Sequence, residues 1–190
     1  MALFTFSEIF DIIVMTVVVG YIFSDMFKRP VSEDYDPLTH FKAGFDIENL
    51  KFAAMVTAPA IIFHELGHKF VALNFGLEAQ FQAAWVFLGL ALVMKMMNFG
   101  FIFIVPAYVS IIGRATPLEF GLVALAGPAV NLILWLGAAF ALKKNLFPRK
   151  YDAMIALTSK INMFLFIFNM LPIPGFDGSK VLTGLIGAFF

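Results

Sequence analysis

Gly121 to Leu142 limits how this chain can fold more than any other stretch, because its 22 consecutive residues include no charged side chain. As an α-helix the run is about 33 Å long, enough to cross the ~30 Å hydrocarbon core of a bilayer. Three further runs are of spanning length: Phe6 to Phe27, Leu50 to Leu73 and Ala153 to Leu171. Lipid offers no partner for a free N–H or C=O, so each run must satisfy its backbone internally as a helix. With 61% hydrophobic and 14% charged residues, the chain is far more apolar than a soluble domain. The expectation is an all-α polytopic membrane protein in one membrane-embedded domain, 1–190, with spans at about 6–27, 50–73, 121–142 and 153–171.

The remaining segments are shorter. Glu8 and Asp11 stand where a signal peptide would carry basic residues, which favours a retained first span. Residues 28–49 hold five acids and two prolines and read as a solvated loop, with His40 a surface histidine. Ala83 to Met97 is short for a crossing and reads equally as a re-entrant or interfacial helix. Residues 100–113 are rich in β-branched and aromatic side chains with Pro106 in the middle. That pattern suits an edge strand or bent hairpin, or half of another span; a strand with a free edge could accept an extended peptide by strand addition. The ten residues 181–190 are too few to span, so the expectation is either a docked helix or a chain cut at this point.

Thirteen basic and thirteen acidic side chains balance, and no basic patch points to nucleic acid. Without cysteine there is neither a disulfide nor a thiolate metal ligand. The partners left are the lipid bilayer and whatever the second span acts upon.

That span contains Phe63-His64-Glu65-Leu66-Gly67-His68. Residues four apart sit one above the other on a helix, so His64 and His68 can turn both imidazoles to one metal ion. Glu65 lies a quarter turn away, placed to act as a general base without being a ligand. Two histidines and a glutamate are costly at membrane depth unless something meets them. A catalytic zinc takes three protein ligands and keeps one position open, so a third ligand is needed. His40, Glu78, Glu119 and Asp152 lie in ordinary turn or loop sequence. Asp177 follows an apolar span within Asn169-Met170-Leu171-Pro172-Ile173-Pro174-Gly175-Phe176-Asp177-Gly178, where two prolines and two glycines make a short stiff turn. On local sequence alone Asp177 is either a ligand or a helix cap. Asn131 is likewise either a bond between helices or part of the site.

The His-Glu-x-x-His motif, Ala126-Gly127-Pro128 with Asn131, and Asn169-x-x-Pro172-x-Pro174-x-x-Asp177-Gly178, in this order on successive apolar runs, resemble the site-2 protease family of intramembrane zinc metalloproteases. The resemblance covers about residues 55–185. It implies that His64, His68 and Asp177 bind one zinc, that Glu65 is the catalytic base, and that Asn169 holds substrate or the developing oxyanion. It further implies a multi-pass protein, in the cell membrane, whose substrate is the transmembrane segment of another protein. Room is lacking between Gly76 and Gly121 for an inserted peptide-binding domain, and the chain reads as a minimal catalytic core. Lys and Arg concentrate in 28–51 and 143–150, which places those segments in the cytoplasm, whereas the family resemblance implies the reverse.

Two other functions fit the residues: a membrane zinc metalloprotease acting on loops or signal-peptide remnants, and a non-catalytic metal-binding or scaffold protein. Glu65 argues against the second, since a structural site gains nothing from an uncoordinated acid beside the metal.

Overall fold

The computed structural model describes residues 3–29, 46–99 and 105–189. His40 and residues 100–104 lie outside them. The elements are α1 (Phe6–Phe23), α2 (Ile47–Asn74), β1 (Glu78–Ala83), α3 (Trp85–Met96), β2 (Ala107–Ile112), α4 (Pro117–Lys143), α5 (Asp152–Asn169) and α6 (Asp177–Phe189), with a 3-10 turn at Arg149–Tyr151. Among the described residues the fold is all-α with one small two-stranded antiparallel sheet, and the four runs read from the sequence are the helices long and apolar enough to cross a membrane.

Local signals set the boundaries. Thr5 and Glu8 form a reciprocal capping box at the start of α1, and Thr116 with Glu119 forms another at the start of α4, where Pro117 takes the first helical position. Asp46 caps α2 by accepting from the N–H groups of Glu48 and Asn49. Gly76, at φ +74°, ends it. These caps start α2 and α4 several residues before the apolar runs begin, because propensity and capping extend a helix beyond its hydrophobic part.

Helix α4 packs against α2, α5 and α6, while α1 lies on the other side of α2 and carries β1 and α3. Small residues set the α2–α4 crossing. A Cβ added to Gly67 would come 2.8 Å from the Ala126 carbonyl oxygen, so the two backbones touch there.

Two expectations change. Residues 78–82, read from the sequence only as a polar stretch, belong to β1, which pairs antiparallel with β2 in the register Glu78–Ile112 through Ala83–Ala107. Glu-Ala-Gln-Phe-Gln-Ala alternates polar and apolar, and Phe81 and Ala83 enter a core with Met15, Val19 and Leu88. Asp177 is not held in a loop, since it is the first residue of α6, and residues 181–189 continue that helix. Where the sequence left two readings open, α3 has 12 residues, about 18 Å, and is too short to cross. The edge-strand reading of 100–113 holds for Ala107–Ile112, with Pro106 just outside the strand.

Among the described residues this two-stranded sheet has one covered edge and one open edge. Phe81 N–H donates to Glu8 Oε1 at 2.7 Å and Ala83 N–H to Asp11 Oδ2 at 2.9 Å, so two carboxylates of α1 satisfy the outer side of β1. Because those N–H groups point away from β2, their partners Val109 and Ala107 turn their own N–H and C=O away from β1. Glu8 also pairs with the Lys69 ammonium, and both side chains are buried, at 1% and 2% exposure. Lys69 follows His68 directly, so this pair ties the metal-motif helix to α1 and to the hairpin together.

Candidate metal centre

His64 and His68 project from one face of α2, and the start of α6 brings Asp177 between them. Asp177 Oδ2 lies 3.1 Å from His64 Nε2 and 3.2 Å from His68 Nε2, and the two nitrogens are 3.1 Å apart. Ligand atoms bound tetrahedrally at ~2.0–2.1 Å stand about 3.3–3.4 Å from one another, so the triangle has nearly the dimensions zinc requires.

The hydrogen bonds behind the imidazoles fix their tautomers. His68 Nδ1 lies 2.7 Å from the Val123 carbonyl oxygen, which can only accept, so the proton is on Nδ1. Asn131 uses its amide N–H groups on the Ala60 carbonyl at 3.0 Å and on Asn162 Oδ1 at 2.8 Å. Its Oδ1 therefore faces His64 Nδ1, 2.5 Å away, and accepts from it. Both Nε2 atoms then present lone pairs toward a carboxylate oxygen in a site where all three residues are buried. Three converging acceptors with no proton between them repel one another unless a cation sits among them. Two imidazole nitrogens and one carboxylate oxygen are the donor set of a catalytic zinc with an open position.

Gly127 shows how closely the centre is enclosed. A Cβ there would overlap the His68 ring and come 2.8 Å from His64 Nε2, so α4 approaches the imidazoles with bare backbone. The Gly-Pro motif thus leaves room for the ligands on one side, and Asn131, one turn on, orients a ligand on the same side.

The triad opens into a cavity of about 740 Å³ that Glu65 and Asn169 also line. Among the described residues no side chain hydrogen-bonds Glu65, whose carboxylate stays available to the cavity. The rest of the lining includes residues 105–109 and Ile111, on and just before β2, and one stripe of α5. Of the other acids weighed as ligands, Glu78 begins β1, Glu119 caps α4 and Asp152 opens α5, all away from the triad. The sequence reading gave Asn162 no role in the site, although an asparagine within an apolar span is itself a signal of internal hydrogen bonding.

No family model and no solved structure matches the chain. Three proteins, each named "putative zinc metalloprotease", are similar to it. One from Methanocaldococcus jannaschii is 35% identical over 96% of this chain and 87% of its own length. One from Synechocystis is 33% identical over 70% of this chain but 31% of its own, and one from Bacillus subtilis 29% identical over 65% and 64%. With that level of identity across nearly all of both chains, and a buried ligand set suited to zinc, this protein belongs to the same zinc metalloprotease family as its M. jannaschii relative.

Proposed function

We propose that the protein is an intramembrane endopeptidase of the site-2 protease type, hydrolysing a peptide bond in or near a transmembrane segment of another membrane protein, as regulated intramembrane proteolysis requires. The observation that carries this reading is the cavity itself. It puts a zinc ligand set, an uncommitted carboxylate and a free strand edge together inside a bundle of four helices that are long and apolar enough to span a bilayer. In this reading those helices cross the cell membrane in several passes.

His64, His68 and Asp177 hold one zinc ion per chain. When bound, zinc supplies a Lewis acid for the scissile carbonyl and acidifies the attacking water. Everything else falls to the chain's own groups. A substrate segment unwinds and lies along β2, where the outward N–H and C=O groups of Ala107, Val109 and Ile111 bond its backbone as a third strand. Glu65 takes the proton as water adds to the carbonyl carbon, then delivers it to the departing amine as the C–N bond breaks. Asn169, at the end of α5, donates its amide to the substrate or to the oxygen on which charge develops. Asn131 and the Val123 carbonyl keep the imidazoles in the required tautomers throughout.

The test uses purified, zinc-loaded protein with model transmembrane substrates, with and without a chelator, and maps the cut by mass spectrometry. Chelator-sensitive cleavage inside the apolar segment is the expected result. Cleavage confined to flanking loops favours a protease of exposed segments instead, and metal binding without any cleavage overturns the enzymatic reading.

A further inference from the structure

Among the charged side chains that line the cavity, Lys160 is the one that the chemistry leaves unused. His64, His68 and Asp177 face one another, Glu65 stands beside them, and the Lys180 ammonium lies 3.3 Å from Asp177 Oδ1. Lys160 lies within α5, eight residues past its first residue Asp152, about 12 Å along the axis. It is exposed to the cavity and pairs with no acid among the described residues. An ammonium group kept in a spanning helix without a partner marks a place where one arrives.

Its position says what arrives. Leu157, Lys160, Ile161, Phe164, Phe168 and Asn169 recur at helical spacing and form the α5 part of a cavity lining to which β2 also contributes. An extended chain added to the open edge of β2 lies in that cavity beside the α5 stripe, and every second side chain shares one face. Apart from Lys160 and Asn169 that α5 stripe is apolar, so it accepts a membrane segment anywhere except at Lys160, where the matching group is an anion. Resting on the proposed protease reading, we propose that Lys160 forms a subsite for an acidic side chain, so that preferred substrates carry an Asp or Glu close to the scissile bond. Lys160 precedes Asn169 by nine residues, about 13.5 Å of helix. An extended substrate covers that distance in about four residues, which sets the range within which the acid should fall.

The experiment takes a model transmembrane segment and places Ala, Asp or Lys singly at each of the four positions on either side of the cut. For wild type, Asp at one position should lower KM about tenfold relative to Ala, and Lys there should raise it, the size expected of a partly desolvated charge pair. Lys160→Glu should invert that preference, while Lys144→Glu, at the end of α4 and outside the cavity lining, should keep it. Zinc content shows that each variant retains the site. The same peptides titrated against Glu65→Gln protein give Kd ratios without any turnover, so a charge preference is measured even where nothing is cut. A missing cut overturns the protease reading, and equal Kd values at every position overturn the subsite. An Asp preference that survives Lys160→Glu also overturns it. So does a Lys160→Glu effect that is equal for all peptides and appears only in vesicles containing anionic phospholipid, since the lysine then serves a lipid phosphate.

Discussion

The two walls of the cavity contrast in how their polar groups are committed. On the α2–α4–α6 side, Glu65 apart, the Nδ1 atoms of the two imidazoles, Asn131 and the Asp177 carboxylate have partners, and Gly127 closes the packing against the rings. Among the described residues, the outward backbone groups of Ala107, Val109 and Ile111 on β2 and the Lys160 ammonium on α5 are left open. The two-stranded sheet repeats the contrast in miniature, with one edge sealed by Glu8 and Asp11 and the other free among the described residues. A saturated wall holds its geometry without reorganising, which electrostatic catalysis requires, whereas an unsaturated wall gains partners only when something binds. In the proposed function, chemistry is thus built into one side and recognition into the other.

Substitutions on each wall should fail differently. Glu65→Gln should lower turnover by roughly 10²–10⁴-fold while zinc content, read by elemental analysis, stays at one per chain. Loss of the metal along with activity would instead place Glu65 among the ligands. Gly127→Ala favours the helix intrinsically but puts a methyl group against both imidazoles, so it should deplete zinc and activity together even though the fold persists by circular dichroism. Asn131→Ala removes the acceptor behind His64 and should weaken zinc binding about 10–100-fold, measured by competition with a chelator.

Smaller effects are expected across the cavity. Val109→Pro deletes an N–H on the open edge and should raise KM about two- to tenfold, equivalent to one hydrogen bond of about 0.5–1.5 kcal/mol, with zinc unaffected. Tyr108→Pro, one residue away, removes an N–H that faces β1 and should disrupt the hairpin itself, so equal behaviour of the two would refute the assigned edge. Least of all, Asp11→Asn keeps an acceptor for the Ala83 N–H but loses its charge, and should cost under about 1 kcal/mol of stability in a denaturation series.

Most of the saturated wall was legible in the sequence because its parts are short-range. The His64–His68 spacing is a property of one helix, and a carboxylate after two prolines is conspicuous beside an apolar run. What Asp177 approaches is a long-range matter, settled only by the fold, which brings it 113 residues back along the chain to His64. The open wall was half legible: Pro106 and its β-branched neighbours suited an edge strand or bent hairpin as well as half of another span, and the partner β1 was read only as a polar stretch although Glu78 to Ala83 alternates strictly. Six residues carry too little signal when glutamate and glutamine dominate the count. Glu8 and Asp11 were noticed only as acids where a leader peptide would have bases, since nothing local says that a carboxylate on the first helix will seal a strand more than seventy residues on.

The buried Glu8–Lys69 pair also bears on how the chain is assembled in the bilayer. A charge within a spanning helix raises the free energy of insertion, and Glu8 and Lys69 put one such charge on each of these two long apolar helices, beside Asp11 and Glu65. Side by side as a hairpin, α1 and α2 cancel the two charges and give Glu8 a backbone donor in the strand that follows directly. Partitioning from the translocon into lipid is therefore more favourable for the first two helices together than for either alone, and the metal-binding helix enters the membrane already registered against its neighbour.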